Sequence, residues 1–522
     1  MDVNQSKVRS IVILGGGTAG WITAAKLARQ LSLSNNIDYK VTLIESLNIP
    51  IIGVGEGTWP TMRKTLAELG IDEGDFLREC KATFKQGTRF VNWRMDASGT
   101  DRHYYHLFGS IFDPADFNLA PYWLAGLAGE KAYADAVSAQ AHVCELGLAP
   151  KQVTTRQYDG LISYAYHLDA GSFSKFLAKH AIERLGVKHC EGNFHGVRWA
   201  ENGDIAALQL SDGREIEGDL FVDCSGFRSL LLGKACGIDF ESINDILLTD
   251  SAIAIQAPYS SDDAPIPCFT KSTAQDAGWI WDISLQNRRG TGHVFSSAHV
   301  SDDEAEATLR KYLVDTGVMD VRELKSRTIR MNIGYRKQFW HNNCLAIGLS
   351  AAFVEPLEAS AIFLVEAAAN MLAEMLPRTR GDMPYVRKVF NQSMSFRWKR
   401  TIDFIKMHYV LSERTGKFWQ DNRLPETIPA SLSDDLAYWR SHGVSKYQFS
   451  STFEPFPQES YQHVLYGMQA SGYQVETQRL AFKEEAVRRL NQVDKIKAAL
   501  ANELPDHRTL VEKVIRFGMP KI

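Results

Sequence analysis

The feature that most constrains the fold of this chain is a glycine-rich turn near its N-terminus, with the residues Gly15, Gly16, Gly17, Thr18, Ala19 and Gly20. An apolar run over 11–14 precedes the turn and predicts a buried strand. Gly15 and Gly17 would let the backbone turn tightly and approach a pyrophosphate, and Gly20 would let the next helix pack on the sheet. A second strand, over 39–44, ends at Glu45, whose carboxylate can accept hydrogen bonds from ribose hydroxyls. This pattern predicts a dinucleotide-binding strand-turn-helix unit, and a turn that binds nothing is the alternative.

Composition and charge limit the possible partners. The 522 residues include 58 basic and 62 acidic side chains, so the formal net charge is −4 and no strong field attracts nucleic acid or an anionic membrane. The seven cysteines are scattered without a CxxC pair, so the sequence predicts neither a disulfide framework nor a metal site. It shows no apolar signal segment and no run of about 18 apolar residues. We therefore expect a cytoplasmic protein that acts on small molecules.

The rest of the nucleotide-binding sheet is expected to come from distant parts of the chain. The segment 207–217 predicts a hairpin around Ser-Asp-Gly, and 218–224 predicts a buried strand. A further short strand over 345–350 ends in small residues. Because ligands bind at the carboxyl ends of parallel strands, Gly348 and Leu349 are candidate cofactor contacts. The dinucleotide-binding domain is therefore predicted to be discontinuous.

Two other kinds of structure are predicted. The segments 279–283 and 292–297 suggest a mostly antiparallel sheet over one side of the cofactor. From about residue 384 the chain is charged and aromatic with helical spacing, as in 482–490, which predicts a separate helical subdomain. Neither a repeat nor a low-complexity linker interrupts the sequence, which argues against a string of small independent domains.

A second glycine-rich loop, 53–60, lacks the Lys-Ser or Lys-Thr pair of a loop that binds a nucleoside triphosphate. We expect Gly53 and Gly55 in this loop to strap a planar cofactor instead. The segment that follows has helical periodicity. On that periodicity alone, Lys81 and Lys85 lie four residues apart on one helical face and are most simply solvated charges.

The segment 355–365 joins two acids and a proline to a helix that is apolar almost all round, so the helix is predicted to be buried. Its free N-terminal amides form an anion site, and an acid beside a buried helix start can be tuned for proton transfer. The alternative is structural. Glu355 and Glu358 would then complement the helix dipole, and Ser360 would cap the helix.

Taken together, these segments resemble the flavin-dependent halogenases of the tryptophan halogenase family, over a stretch from Ile11 to about His408. Besides the two glycine-rich loops, the similar stretches are 82–85, 90–93, 105–109, 166–170, 223–226, 278–283, 294–297 and 347–362. The signature of the family is Trp-x-Trp-x-Ile, present here as Trp279, Trp281 and Ile283. This signature separates the family from the flavin monooxygenases.

The resemblance implies an α/β fold with an FAD-binding Rossmann-like domain of the flavin monooxygenase type, an antiparallel sheet and a mostly helical C-terminal subdomain. We expect 1–105 and 155–395 to form the discontinuous FAD-binding domain, and 106–154 and 396–522 to form the helical substrate-side subdomain. The sequence has no evident second GxGxxG motif for a nicotinamide cofactor. A separate flavin reductase is therefore expected to supply FADH2 to a monomer or homodimer.

The resemblance also implies a reaction. Reduced FAD reacts with dioxygen to give a flavin hydroperoxide, and a halide attacks it to form hypohalous acid. This oxidant crosses an internal passage to a lysine, here Lys85, which donates a hydrogen bond to it or forms a haloamine. Glu358 would position the electrophile and take the ring proton. The halide would rest on backbone amides near Ser360 and Ala361.

The substrate is expected to be an aromatic molecule other than free tryptophan. His106 and Phe108 belong to a family element that stacks on the indole ring, so we expect them to line the substrate site, with core positions as the alternative. In tryptophan-specific members, paired tyrosines, an acid and a Phe-Trp pair hold the amino acid, whereas 447–473 has no Phe-Trp pair here. A free electron-rich ring such as indole, or a larger indole or phenol, is the expected substrate.

The halide segment departs from the family pattern. Relatives usually carry Ser-Thr-Gly after the glutamate, whereas this chain has Ala359, Ser360 and Ala361, and the signature ends in Ser284 where proline is usual. The changed pocket suggests a preference for bromide over chloride, because bromide is easier to dehydrate and oxidise.

A flavin-dependent aromatic monooxygenase and a catalytically silent flavin-binding protein are the alternative functions.

Overall fold

The computed structural model describes residues 6–33, 39–46, 48, 55–94, 103–470, 472–473 and 480–520, so Gly53 lies outside the described residues. The strands in this part of the chain are β1 Ser10–Leu14, β2 Lys40–Glu45, β3 Gly55–Gly57, β4 Thr83–Lys85, β5 Gly87–Val91, β6 His103–Leu107, β7 Ala165–Asp169, β8 Lys188–Glu191, β9 Phe194–Trp199, β10 Ile205–Leu210, β11 Glu215–Glu217, β12 Leu220–Asp223, β13 Phe240–Ser242, β14 Ser251–Ala257, β15 Thr270–Gln275, β16 Gly278–Ser284, β17 Arg289–Phe295, β18 Ser326–Arg330, β19 Gly334–Arg336, β20 Trp340–His341, β21 Cys344–Ala346 and β22 Ala352–Phe353. The helices are α1 Thr18–Leu33, α2 Thr61–Glu68, α3 Glu73–Glu79, α4 Ala120–Leu124, α5 Tyr133–Val137, α6 Gln140–Glu145, α7 Ala170–Leu185, α8 Asp302–Asp315, α9 Ser360–Glu374, α10 Met383–Leu411, α11 Lys417–Asp421, α12 Ala430–His442, α13 Gln458–Met468, α14 Lys483–Glu503 and α15 His507–Phe517.

The nucleotide-binding sheet has the strand order β20-β21-β12-β1-β2-β8. Strand β1 pairs in parallel with both β2 and β12, and β12 continues in parallel to β21. The side chains over 11–14 are buried, as expected for an apolar strand in a parallel sheet that helices cover. Helix α1 packs against α7 and α9. Because its strands come from distant parts of the chain, the sheet is discontinuous, as the sequence predicts.

A second, seven-stranded sheet has the order β18-β14-β17-β16-β15-β5-β6. Its neighbours are antiparallel except for the pair β15 and β5. Strands β16 and β17 confirm the antiparallel sheet predicted from 279–283 and 292–297. The predicted hairpin is also present, since β10 and β11 pair antiparallel.

The helical periodicity predicted after the second glycine-rich loop ends earlier than expected. Helix α3 stops at Glu79, and Lys81 adopts a left-handed backbone with φ 52°. Thr83 to Lys85 then form β4, which pairs antiparallel with β7. The hydroxyl of Thr83 donates to the backbone oxygen of Ser284 at 2.7 Å. The prediction that helical periodicity extends to Lys85 was therefore wrong, because tertiary pairing with distant strands overrode a short periodic pattern.

The C-terminal part of the described chain is mostly helical, as predicted, from α10 to α15. Helix α13 packs on β6, α14 packs on α5 and α6, and α15 packs on α3. No helix in the described ranges is long and apolar enough to span a bilayer. The important consequence for the site is that α10 and α13 approach the seven-stranded sheet at its β6 edge.

Candidate active site

A cavity of about 690 Å³ lies at the carboxyl ends of the parallel strands. Its walls include the turn after β1, the end of β2 and the segment after β21. The lining residues predicted as cofactor contacts are Gly15, Gly17, Thr18, Ala19, Glu45, Gly55, Gly348 and Leu349. Gly20 lies behind the turn, packed on Gly15. The structure therefore brings the sequence-predicted cofactor residues that it describes into one place.

The turn has the shape that a dinucleotide requires. Gly15 has φ 121°, and a Cβ there would lie 2.2 Å from the backbone oxygen of Cys224. A Cβ on Gly20 would lie 1.9 Å from the backbone oxygen of Gly15, so α1 packs directly on the turn. A Cβ on Gly17 would meet no described atom within 4 Å, which leaves open space in front of the α1 amides. The residues fit a pyrophosphate at the helix N-terminus, as in FAD.

The tryptophan signature forms another wall of the same cavity. Trp279, Trp281 and Ile283 all line it from β16. A Cβ on Gly292 of the neighbouring strand would lie 2.1 Å from Cη2 of Trp281, so glycine makes room for that indole. The indole N–H of Trp279 donates to Oε2 of Glu355 at 2.7 Å. The two indoles are therefore built into the cavity wall.

Lys85 is buried at the cavity wall, which contradicts the solvated charge that periodicity alone indicates. Its side chain is 1% exposed, and Nζ lies 5.4 Å from the ring centroid of half-buried Phe108. Nζ also lies 3.1 Å from the point that a Cβ on Gly57 would occupy. Burial lowers the pKa of Lys85 to about 8, although the charge of Glu358 opposes that shift. Lys85 is thus a weakly acidic ammonium group at the edge of the cavity.

Glu358 does not line the cavity but is held by two histidines on the side of the 355–359 loop that faces away from it. Its Oε2 lies 2.8 Å from Nδ1 of His106, and its Oε1 lies 2.8 Å from Nε2 of His408. His408 also forms a hydrogen bond through Nδ1 with the hydroxyl of Tyr104 at 2.7 Å. Burial alone would raise the pKa of Glu358, but the two histidines outweigh burial and lower it. Glu358 therefore carries negative charge in a buried position.

An aromatic cluster surrounds this carboxylate. The ring of His106 lies 5.4 Å from that of Phe404, which stacks on Phe456 with centroids 3.8 Å apart. His463 lies 6.3 Å from His106 and is 1% exposed, and neither of its ring nitrogens has a hydrogen-bond partner among the described residues. Burial and the neighbouring His106 lower the pKa of His463 to about 3, so its imidazole is neutral.

Sequence reasoning missed four residues of this cluster. Phe404 and His408 lie on α10, and Phe456 and His463 lie in or just before α13. The four-residue spacing of Phe404 and His408 places them on one helical face, which is a weak signal that the sequence did offer. Nothing local links α10 and α13 to His106. Only the packing of both helices near β6 brings these side chains together.

The start of α9 differs from the structural interpretation of this segment. Ala359 occupies the N-cap position with φ 53°, and Ser360 is the first helical residue, so the prediction that Ser360 caps the helix was wrong. Ala361 lines the cavity, whereas Ser360 is 1% exposed and does not. Glu355 accepts hydrogen bonds from Trp279 and Tyr409, so its partners are side chains and not the helix amides.

The arrangement combines an ammonium group at a cofactor cavity with a carboxylate inside an aromatic cluster. An ammonium group can polarise an oxidant, and a carboxylate can stabilise a cationic ring and accept its proton. Within the described ranges, no three histidine, cysteine or acidic side chains are grouped in a way that could hold a metal ion.

Comparison with known proteins gives consistent matches over most of the chain. The family model for tryptophan halogenase matches residues 10–482. Tryptophan 6-halogenase ThaL of Streptomyces albogriseolus is 36% identical over 452 residues, which are 84% of this chain and 83% of that protein. The crystal structure of a tryptophan halogenase from Shewanella frigidimarina NCIMB 400 has TM-score 0.95 and 41% identity, and 100% of each chain is covered. BrvH, a flavin-dependent halogenase from Brevundimonas sp. BAL3, has TM-score 0.84 and 35% identity over 97% of this chain and 99% of its own.

Proposed function

Because this chain belongs to the tryptophan halogenase family and is a halogenating enzyme, we propose that it uses FADH2, dioxygen and halide to halogenate a free electron-rich aromatic such as indole. The observation that carries the proposal is the position of two buried charges. Lys85 lines the cofactor cavity, and Glu358 faces the aromatic cluster from a loop whose residues Pro356, Leu357 and Ala359 line that cavity. An oxidant made in the cavity and a ring in the cluster would therefore meet near these two side chains.

The cavity residues have separate tasks in this proposal. The amides at Thr18 and Ala19 bind the pyrophosphate, and Glu45 accepts from a ribose hydroxyl. When bound, reduced FAD supplies with dioxygen the oxidising power that converts halide to hypohalous acid. Trp279 and Trp281 keep the aromatic substrate away from the cofactor, so that only the small oxidant passes from the cofactor to the substrate.

Lys85 and Glu358 complete the substitution. The Lys85 ammonium donates a hydrogen bond to the oxygen of hypohalous acid, which polarises the halogen towards the ring. The ring carbon forms a bond to the halogen as the oxygen–halogen bond breaks, and the oxygen leaves as water with a proton from the Lys85 ammonium, which solvent replaces. Glu358 stabilises the cationic ring and takes the ring proton as aromaticity returns. The overall change is an aromatic C–H bond and hypohalous acid giving a C–halogen bond and water.

The environment of the aromatic cluster supports a substrate without an amino-acid group. The neutral imidazole of His463 offers an acceptor nitrogen that the N–H of any indole ring can satisfy without an amino-acid group, since a buried polar atom without a partner is unfavourable. The acid in the C-terminal segment, Glu454, is already bound by Arg400, with Nε to Oε2 at 3.1 Å. Tyr447 in the same segment is 81% exposed. The clamp for an amino acid is thus not assembled from these residues.

The proposal includes two partners and a halide preference. A separate flavin reductase supplies FADH2 to the monomer or homodimer, because the sequence carries one dinucleotide motif. The halide rests on amides near Ser360 and Ala361 at the start of α9. Bromide is preferred, because the methyl group of Ala361 alters the pocket and bromide is easier to oxidise than chloride.

The test is mass spectrometry of the products that purified protein makes from indole with FAD, a flavin reductase, NADH, oxygen and either bromide or chloride. We expect a brominated product with the bromine isotope doublet, formed faster than its chlorinated counterpart. Lys85→Met should abolish it, and Lys64→Met, at a lysine whose side chain is 82% exposed, should not.

The other outcomes of the same assay identify the alternatives. An oxygenated product that forms without halide would indicate a flavin monooxygenase. Oxidation of NADH without any product from indole, tryptophan or phenols would indicate a catalytically silent flavin-binding protein. Faster halogenation of tryptophan than of indole would contradict the proposed substrate, and equal rates with chloride and bromide would contradict the halide preference.

A further inference from the structure

Glu355 is the one acid of the 355–358 segment that the proposed reaction leaves without a task. Its side chain is 0% exposed, and Oε2 accepts from Nε1 of Trp279 at 2.7 Å and from the hydroxyl of Tyr409 at 2.6 Å. A carboxylate is costly to bury, so its two donors from distant parts of the chain indicate a specific task. We propose that Glu355 is a positioning residue that fixes the indole of Trp279 in the cavity wall through the Nε1 hydrogen bond.

The wall residue is 1% exposed and packed in the hydrophobic core, and its indole has one polar atom that needs a directional partner. Trp279 lines the cavity on one side and meets Trp281 edge-on, with ring centroids 6.4 Å apart. Its only polar atom, Nε1, points at Glu355. A single directional bond at the polar edge can stop the ring from tilting into the cavity. Without it, the buried Nε1 would lose its acceptor, and the indole would lose the contact that sets its tilt within the packing.

Glu355 also connects the wall to the residues of the proposed reaction. Consecutive residues of α10 hold the two acids of the loop, because Tyr409 bonds Glu355 and His408 lies 2.8 Å from Glu358. On the opposite side, Nε1 of Trp59 donates to the backbone oxygen of Glu358 at 2.8 Å. One loop therefore holds both the acceptor of the wall indole and the carboxylate that takes the ring proton. This inference rests on the proposed function, since the wall matters only if oxidant and substrate are separated.

The first experiment measures halogenated product per NADH consumed in Glu355→Leu, Glu355→Gln and Trp279→Phe. We expect Glu355→Leu to lower this ratio by about tenfold, with escaped hypohalous acid and hydrogen peroxide together accounting for the lost electrons, because the wall no longer directs the oxidant. Glu355→Gln keeps an acceptor oxygen and should stay within about threefold of the wild type. Trp279→Phe keeps a ring but removes the donor. The double variant Glu355→Leu with Trp279→Phe should therefore have a ratio of product to NADH no lower than that of the more affected single variant.

The matched control is Glu366→Leu. Glu366 is a second buried glutamate, 1% exposed, that accepts from the hydroxyls of Thr61 and Thr65 and does not contact the tryptophan wall. Glu366→Leu should lose stability as Glu355→Leu does, but its ratio of product to NADH should stay at the wild-type value. Equal ratios in the two variants, or additive losses in the double variant, would overturn the proposal.

A second readout does not depend on turnover. In protein labelled with nitrogen-15 tryptophan, the indole N–H signal of Trp279 is the one absent from Trp279→Phe. We expect this signal to shift in Glu355→Leu and to keep its position in Glu366→Leu. An unshifted signal in Glu355→Leu would overturn the hydrogen bond itself. A wild type without halogenated product would instead refute the proposed function, and the indole signal would still decide whether Glu355 positions Trp279.

Discussion

At the scale of single residues, the protein places a charged amine where charge is least favoured. Lys85 is almost wholly buried, and its pKa falls to about 8 because burial penalises the ammonium form. Glu358 lies near enough to oppose that shift and is itself held ionised by His106 and His408. Both groups are therefore poised by their surroundings, which is typical of residues that transfer protons or polarise a reactant.

The first prediction concerns the pH dependence of halogenation. The pKa of Lys85 is lowered to about 8 from its ordinary 10.5, so the ammonium fraction falls as pH rises through about 8. If the ammonium form polarises the oxidant, initial rates of product formation should decline above that pH. Parallel measurement of NADH oxidation controls for the cofactor step. A rate that rises through the same range would instead indicate a neutral amine that forms a haloamine.

The second prediction concerns the cost of burying Lys85. Because its folded pKa lies below its unfolded pKa, the buried ammonium destabilises the fold at neutral pH, and this penalty disappears as pH rises. Lys85→Met should therefore keep or raise the free energy of unfolding at pH 7 while it lowers the halogenation rate by about 10³-fold or more. Urea denaturation and product assays measure the two effects. A variant that loses activity only because it unfolds would contradict the assigned role.

The third prediction concerns the substrate contact of His463. If its neutral nitrogen accepts from an indole N–H, His463→Leu should raise the KM for indole by about fivefold to tenfold with little change in kcat. N-methylindole has no N–H group, so its KM should be the same for the wild type and for His463→Leu. Steady-state kinetics with both substrates measure the contact. An identical change in KM for the two substrates would indicate a steric effect and no hydrogen bond.

At the scale of elements, the start of α9 shows how a helix can serve a site at some cost to itself. Ala359 holds the N-cap position in a left-handed conformation that glycine adopts more easily. The turn directs Glu358 away from the cavity and leaves Ala361 facing it. Ala359, the residue after Glu358, therefore has a strained backbone next to the proposed halide site.

The fourth prediction tests this strain. Ala359→Gly should raise the free energy of unfolding by about 1 kcal/mol, since glycine relieves the left-handed strain. The matched control is Ala368→Gly inside the same helix, which should lower stability by about 1 kcal/mol because glycine is a poor helix former there. Chemical denaturation of the two variants measures both values. Destabilisation by Ala359→Gly would show that the alanine methyl makes contacts worth more than the strain.

At the scale of the whole molecule, a buried polar cluster joins parts that are distant in sequence. Nζ of Lys151 lies 3.0 Å from Oε2 of Glu73, and both side chains are 0% exposed. The hydroxyls of Tyr164 and Tyr166 donate to the other oxygen of Glu73 at 2.7 and 2.6 Å. The cluster links α3, β7 and the segment that follows α6, and so holds the sheet that carries Lys85 against the helices.

The fifth prediction concerns this cluster. Lys151→Met leaves the Glu73 carboxylate buried without its cation and should cost about 3–5 kcal/mol of stability. The double variant Lys151→Met with Glu73→Gln should recover part of that loss. Lys311→Met removes the exposed ion pair with Asp315 and should cost less than about 1 kcal/mol. Similar losses in the two single lysine variants would contradict the importance of the buried pair.

The sequence by itself determined the parts of the protein that depend on local patterns. The turn at Gly15, the hairpin at 207–217 and the strand with Trp279 follow from short-range backbone geometry and alternation, and each is present in the structure. The family resemblance pointed to Lys85 and Glu358 as candidate catalytic residues for the same reason, because a motif is a contiguous stretch of chain. The division into two subdomains and the roles of the site residues, Gly53 among them, stay predictions.

Only the tertiary structure decided which side chains are buried together. Local periodicity indicated a solvated Lys85, but β4 pairs with β7 and buries it. His463 and His106 meet because α13 packs on β6, and Glu355 meets Trp279 because the loop before α9 lies within hydrogen-bond distance of β16. Burial and pKa values depend on atoms that are hundreds of residues away in sequence, so no local pattern encodes them. Hydrophobic periodicity predicts the secondary structure of a segment, whereas tertiary packing determines which residues its side chains contact.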